Sequence, residues 1–478
     1  MDEHFSEAGQ FEIEHCVLLT SEGLEYDLSK SVAEIQFYDS IYASALSGYI
    51  TLFDTFALSN IAPLIGQEYL RLKIRTPTIV DDGDKVVFMD NVLHVNKITR
   101  STKVGNRAEL NTLQFTTSEF VHNQRTLISR SLKGTCSSIV EDLLVNDLNC
   151  KKDLYIEDSV GIKKFIAPNT HPFTIVEMMS KQAISKTNAS PSYLFYETFR
   201  GYHFRSLESL YAQGPVFRYS DVAISSATVD PQNPRISKDV LNTKILRDLT
   251  NINNYQMAER QDSLTNTMVG GFSSQLIEHD VFNKSYTSTD YNYFDDRGKH
   301  INHYHGGDDH PLYNDVVVDK FNRRITDFSP ITFLSPTSNI DSDINAQYTE
   351  SVSPTGAPDW LQKRRSMFTH LETSNCIDID VYGNTFVSAG NVVNLSVTKR
   401  SPLHPDDEED RFYRGAFLIK KVAHSFSLAD KRHTMLMELC KDSSSSKYEK
   451  RSSHAEIKPT NVGNRITQFY NRGGGIRR

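Results

Sequence analysis

The sequence predicts a mainly β protein with one α/β domain, its strands arranged as two antiparallel β-barrels. Three observations carry this prediction. Short segments alternate apolar and polar residues with period two, and clusters of Gly, Pro, Asp and Asn separate them. Helical periodicity is found mainly between residues 126 and 215. Aromatics reach 10%, with 26 Phe and 22 Tyr, which suits half-buried pleated surfaces.

Residues 1–125 read as the first barrel. Ala33, Ile35 and Phe37 alternate with Glu34, Gln36 and Tyr38, and Gly48–Phe53 follows as a second strand. Leu70, Leu72 and Ile74 alternate with Tyr69, Arg71 and Lys73, giving one dry and one wet face. Pro77 and Asp81-Asp82-Gly83-Asp84 supply a turn before Val86-Val87-Phe88, and further strands fit 92–98 and 113–115.

Residues 126–215 read as the α/β domain. Ser138 and Glu141 have capping-box spacing ahead of a helix over 139–148, whose apolar face holds Ile139, Val140, Leu143, Leu144 and Leu148. A second helix opens at Pro172, where a missing N–H costs nothing. Tyr193–Tyr196 and Tyr202–Arg205, joined through Gly201, read as a hairpin.

Residues 216–296 and 365–442 read as a second barrel, split by an insertion or long loop at 297–364. Gly270-Gly271 marks a turn or bulge. The insertion is rich in Asp, Asn, Ser, Pro and His with weak periodicity. Alternation resumes through Ile377, Ile379 and Val381, then Val393, Leu395 and Val397, then Met435, Met437 and Leu439. Residues 443–478 form a basic tail expected to be mobile until a partner orders it.

Charge and cysteines narrow the function. The net charge of -8 is uneven: from Lys441 to Arg478 nine Lys/Arg face three Asp/Glu, so the body carries -14. An acidic body argues against a broad nucleic-acid-binding surface. Five cysteines without CxxC or Cys/His zinc spacing read as isolated reduced thiols. The acidic start, Met1-Asp2-Glu3-His4, has no apolar signal core, and no apolar run of about 18 residues is present to span a membrane.

Catalytic signatures are missing: no Walker loop, Rossmann fingerprint, GxSxG elbow, HExxH pair or kinase set. His300, His303 and His305, followed by Asp308, Asp309 and His310, have residue types that hold zinc or nickel, but Gly306-Gly307 and Pro311 mark a flexible loop. No metal is assigned there. Asp341-x-Asp343-x-Asn345 starts like a calcium loop and fails at Ala346 and Val352. Asp406–Asp410 reads as a soluble hairpin tip. No cofactor is expected, and no pair of carboxylates is singled out for glycoside hydrolysis. In the tail, Lys450, Arg451 and Arg465 with Phe469 and Tyr470 suit a docking peptide.

Three ordered stretches carry a resemblance. They are Gly48–Asp54 followed by Gly66-Gln67-Glu68 and Tyr69–Leu72; His171-Pro172-Phe173 with Leu194–Glu197 and Gly201–Leu210; and Val381–Thr385, Ala389–Val393, Gly415–Ile419 and His424. Together, over roughly residues 10–442, the chain resembles the baseplate hub proteins of contractile-tailed bacteriophages, an architecture shared with the hub portion of type VI secretion spike proteins. The resemblance implies a non-enzymatic homotrimer in the virion tail baseplate, assembled in the host cytoplasm. Its two related barrels would form a pseudo-sixfold ring joining the tail tube to the central spike, beside other baseplate proteins, with DNA passing through without specific binding. The competing readings are a hub-associated cell-wall hydrolase and a carbohydrate-binding β-protein.

Overall fold

The computed structural model describes residues 7–54, 64–76, 86–104, 108–221, 245, 247–260, 262–281, 284–297, 321, 323, 326–337, 356–398 and 409–442. The first part supplies β1 (Glu12–Leu19), β2 (Glu25–Asp27), β3 (Val32–Ser40), β4 (Ser47–Asp54), β5 (Tyr69–Thr76), β6 (Val86–Val104) and β7 (Ala108–Thr117). The alternation read from sequence sets their faces. Ile35, Phe37, Leu70, Leu72 and Ile74 are fully buried in one core with Leu113, Phe115 and Phe426. Each such side chain contributes roughly 1.5–3 kcal/mol by leaving water.

Two motif residues here have clear physical roles. A Cβ on Gly48 would lie 2.2 Å from the Gln36 carbonyl and 2.5 Å from the Phe115 ring, so only glycine lets those groups close over β4. Glu68, fully buried, accepts the N–H groups of Ile65, Gly66 and Gln67 at 2.7, 2.9 and 3.1 Å, which fixes the turn into β5.

The α/β module follows, with β8 (Ser131–Gly134), β9 (Asp153–Ile156), β10 (Ser159–Val160), β11 (Lys163–Ile166), β12 (Ile184–Ser185), β13 (Tyr193–Thr198) and β14 (Gly201–Ser206). The helix Pro172–Gln182 opens at its proline, and β13 pairs with β14 as a hairpin. The first helix departs from expectation. Its cap is Thr135, whose Oγ1 accepts the Ser138 N–H at 3.2 Å, so Ser138 is inside the helix rather than at its cap. It runs Cys136–Asp142 and widens to a π-helix at Leu143–Asp147, keeping Leu143 and Leu144 buried.

The remaining strands are β15 (Phe217–Ser220), β16 (Ile252–Arg260), β17 (Ser273–Asp280), β18 (Ser285–Asn292), β19 (Thr332–Thr337), β20 (Asn375–Tyr382), β21 (Val392–Thr398), β22 (Glu409–Ser427) and β23 (Arg432–Lys441). One thirteen-stranded sheet runs in the order β16-β20-β23-β22-β3-β4-β7-β6-β5-β1-β2, with β21 on β22 and β15 on β21. Its pairs are antiparallel except β15 with β21. No strand ladder closes either half into a barrel among the described residues; in the second half an isolated parallel bridge, Ser220 to Asn251, links the end of β15 to the residue before β16. β17 and β18, read as part of the second barrel, instead form a separate three-stranded sheet with β19, which comes from the expected insertion. The short polar segment 332–337 has Phe333 and Leu334 to pair with β17, a signal its neighbourhood of Ser, Pro and Asp obscured.

The cysteine reading needs one correction. Cys376 and Cys440 stand directly opposite on β20 and β23 and form a disulfide, while Cys16, Cys136 and Cys150 are free. Their separation of 64 residues hid a pairing that only strand register creates.

The two halves of the large sheet repeat one plan. Strands β3, β4, β5, β6 and β7 correspond in order and pairing to β16, β20, β21, β22 and β23. Even the irregularity recurs: β6 shifts register between Val95 and Lys97 against β7, and β22 between Ile419 and Lys421 against β23. By this register Ile98 corresponds to Val422, and Met257 to Phe37.

Candidate functional site

The polar face of the large sheet and its two ends are the features that no core explains. Strand register places Asp380, Leu436, Ala423, Tyr38 and Ser47 in one row across five strands. The adjacent row holds Asp378, Glu438, Lys421 and Ser40. Asp378 directly faces Glu438, a like-charge pair that disfavours both anions. Partial burial, then Glu438, raises the Asp378 pKa, and partial burial raises that of Asp380. Burial pushes Glu438 the same way, but hydrogen bonds from Lys420 and Lys421 prevail and lower it. Lys421 Nζ lies 2.9 Å from Glu438 Oε2. These two rows are thus acidic, with Lys421 engaged by Glu438, while the same face of the first half also carries Arg71, Lys73, Lys97 and Arg100.

The halves meet where β22 pairs with β3, Lys421–Ser427 against Ser40–Glu34. Phe37 is 0% and Val422 1% exposed at this seam. Their counterparts lie at the outer edges: Met257 on β16 is 45% exposed and Ile98 on β6 is 41% exposed. Among the described residues β16 pairs only with β20, and the β6 stretch 97–104 only with β7. β16 and the 97–104 stretch of β6 therefore each present a strand edge unpaired among the described residues, and their equivalents are sealed against each other within the chain.

A buried charge cluster fixes the α/β module onto this frame. Lys152 Nζ lies 2.7 Å from Glu119 Oε2 and 2.6 Å from Glu197 Oε1. Glu197 Oε2 accepts the Leu46 N–H at 3.0 Å and the Thr117 hydroxyl at 2.9 Å, both from the first half of the sheet. Burial alone would lower Lys152, but the two carboxylates outweigh it and hold its pKa up. Nearby, Asp39 Oδ2 accepts the Ala389 N–H at 3.0 Å, and Oδ1 is buried without a hydrogen-bond partner. Burial, opposed by that N–H and reinforced by Glu197, raises Asp39 to about 7. Glu197 entered the sequence reading only as the end of the stretch Leu194–Glu197, and Glu119, Lys152 and Asp39 did not enter it, although one signal was visible: Asp39 continues the dry parity of Ile35 and Phe37.

Other motif residues are structural. His424 is fully buried with its Nδ1 3.1 Å from His433 Nε2, and burial lowers it to about 3, which keeps it neutral. A Cβ on Gly383 would fall within 2.0 Å of the His433 ring.

His300, His303 and His305 lie outside the described residues, as do Asp341–Asn345 and the tail residues Lys450, Arg451, Arg465, Phe469 and Tyr470. Among the described residues no three His, Cys, Asp or Glu side chains gather as a metal site. No described helix is long and apolar enough to cross a membrane.

No family model matches the chain, and no curated protein matches it in sequence. Among solved structures, the chain is similar to a tail protein from Neisseria meningitidis MC58, at 11% identity and TM-score 0.48 over 91% of this chain and 97% of that one. It is similar to the 43 kDa tail protein of prophage MuSo2 from Shewanella oneidensis, at 10% identity and TM-score 0.48 over 90% and 98%. It is also similar to a type VI secretion component of E. coli, itself described as similar to tail proteins of bacteriophage T4, at 9% identity and TM-score 0.39 over 92% and 79%. These structural neighbours are phage-type tail proteins and a type VI secretion component.

Proposed function

We propose that three copies of this chain form a baseplate hub, a ring that joins the tail tube to the central spike and surrounds part of the DNA channel. One observation supports this most directly: the seam that buries Phe37 and Val422 inside the chain is left open, at Met257 and Ile98, where a neighbour would complete it. By the internal repeat, residues 254–260 of β16 in one copy would pair with residues 97–103 of β6 in the next. Such a contact is head-to-tail, and it generates a ring when the rotation closes. Closure after three copies would place six like units around one axis and cover both of these edges. The function is then geometric, with no chemical step and no cofactor.

The polarity of the units supports the same reading. β6 with β7, and β22 with β23, pair as consecutive antiparallel strands that leave from the same end of the sheet in both halves. From the other end leave the α/β module after β7 and the three-stranded sheet between β16 and β20, which differ. A sixfold partner, the tail tube, suits the first end, and a threefold partner, the spike, suits the second.

Light scattering of the purified chain should give a mass three times its 54.3 kDa. The double variant Met257→Lys, Ile98→Lys adds like charges beside Arg100 and should run as a folded monomer. A wild-type monomer that stays monomeric with the spike protein would sink the proposal.

In this reading the acidic rows of the sheet face the channel and leave DNA free to pass. Replacing both Asp378 and Asp380 with lysine should then produce DNA retention in a gel-shift experiment at low salt, lost as salt rises. DNA binding by the unmodified ring would contradict it.

A further inference from the structure

The three-stranded sheet has an edge that nothing described covers. β18 spans eight residues, Ser285–Asn292, pairs only with β17 among the described residues, and is exposed along its first half. Its Thr and Tyr residues favour strand pairing, and no proline or lysine within it blunts the edge. The opposite edge, β19, is interrupted by Pro336. One face of the sheet is closed by the π-helix Pro358–Arg364, where Gln362 Nε2 donates to the Ser274 and Thr289 carbonyls at 3.0 and 3.2 Å. The other face presents Tyr286 and Leu334, 74% and 76% exposed.

Charge and chain path identify an occupant. Residues 262–297 carry six carboxylates against two Lys/Arg, with Asp290 and Asp295 exposed. Residues 443–478 carry eight Lys/Arg against two Glu. The described chain ends at Asp442, one residue beyond Lys441, which pairs with Asn375. Asn375 directly follows the helix Arg365–Thr373 and Ser374, and that helix is tied to the strand β17 region through Ser366 donating to the Gly271 carbonyl at 2.6 Å. The tail thus leaves from the base of the module. The 22 residues 443–464 can span up to about 70 Å, enough to reach any point on it. Arg465-Ile466-Thr467-Gln468-Phe469-Tyr470 then offers β-branched and aromatic residues led by a cation.

We propose that residues 465–470 of the tail add a fourth strand to the β18 edge of the same chain, guided by charge and held by main-chain hydrogen bonds. This is strand addition, with the ladder giving affinity and alternate side chains giving selectivity. It stands apart from the ring proposal, since it needs no second copy.

Hydrogen exchange on the full chain tests it. In the unmodified protein the outward-facing amides of 285–292 should exchange at least tenfold more slowly than in the variant Ile466→Asp, Phe469→Asp, with the light-scattering mass unchanged. A fluorescein-labelled peptide of residues 461–472 should bind the variant, restore that protection, and weaken as salt rises. Equal exchange in both proteins overturns the proposal, whether fast, which leaves the edge open, or slow, which assigns it another occupant. Failure of the peptide to bind or to restore protection overturns it as well.

Discussion

Replacing Lys152 with methionine should lower the unfolding free energy by about 3–5 kcal/mol. Among the described residues the lysine is the only cation within salt-bridge distance of both Glu119 and Glu197, and the Glu197 side chain is 0% exposed. Removing it leaves two carboxylates facing each other with Asp39 close by, and the cost is that of uncompensated buried charge rather than of a lost contact. Because Glu197 also receives Leu46 and Thr117, the damage should appear first where the α/β module meets the sheet. Denaturant unfolding gives the magnitude, and hydrogen exchange at Leu46 gives the place. Adding Glu119→Gln and Glu197→Gln to Lys152→Met should recover much of the loss, because replacing a whole buried ion group is far less damaging than breaking it. A single variant that unfolds like the parent would show that the cluster contributes no docking energy.

Asp39→Asn should stabilise the protein increasingly as pH rises. The folded pKa of Asp39 is about 7 against an ordinary 3.8, so its carboxyl folds more readily when protonated. The sign follows from linkage. The relative stability from the neutral carboxyl is fully present below about pH 4 and is lost as pH rises through the folded value near 7. The gap corresponds to about 4 kcal/mol once both states are ionised, at 1.36 kcal/mol per pH unit. Asparagine keeps an acceptor for the Ala389 N–H and carries no charge, so the difference between variant and parent should vanish toward pH 4 and approach its full size above pH 8. Urea midpoints from pH 5 to 9 measure it. A difference that does not change with pH would mean that the buried carboxyl is solvated in solution.

The second prediction rests on a residue that strand parity could have flagged and motif searching could not. Asp39 follows Ile35 and Phe37 on the dry side of β3, and Lys441 follows Met435, Met437 and Leu439 on that of β23. An ionisable residue at a core position is a local anomaly in sequence. Its partner is not local: Glu197 lies 151 residues from Leu46, and Asp39 lies 350 residues from Ala389. The same divide separates the reduced thiols expected at Cys376 and Cys440 from the disulfide that opposes them.

The sequence by itself determined which residues face each core. Alternation on a pleated backbone and the geometry of a proline-led helix depend only on near neighbours. It also determined the hairpin at Tyr193–Arg205 and the Glu68 turn's ingredients. Only the tertiary structure decided that both halves share one sheet, that β17 and β18 leave it for β19, and that Phe37 is sealed while Met257 is not. Burial and pairing at those positions depend on a strand far away in the chain, and strand patterning carries no record of which distant edge it will meet.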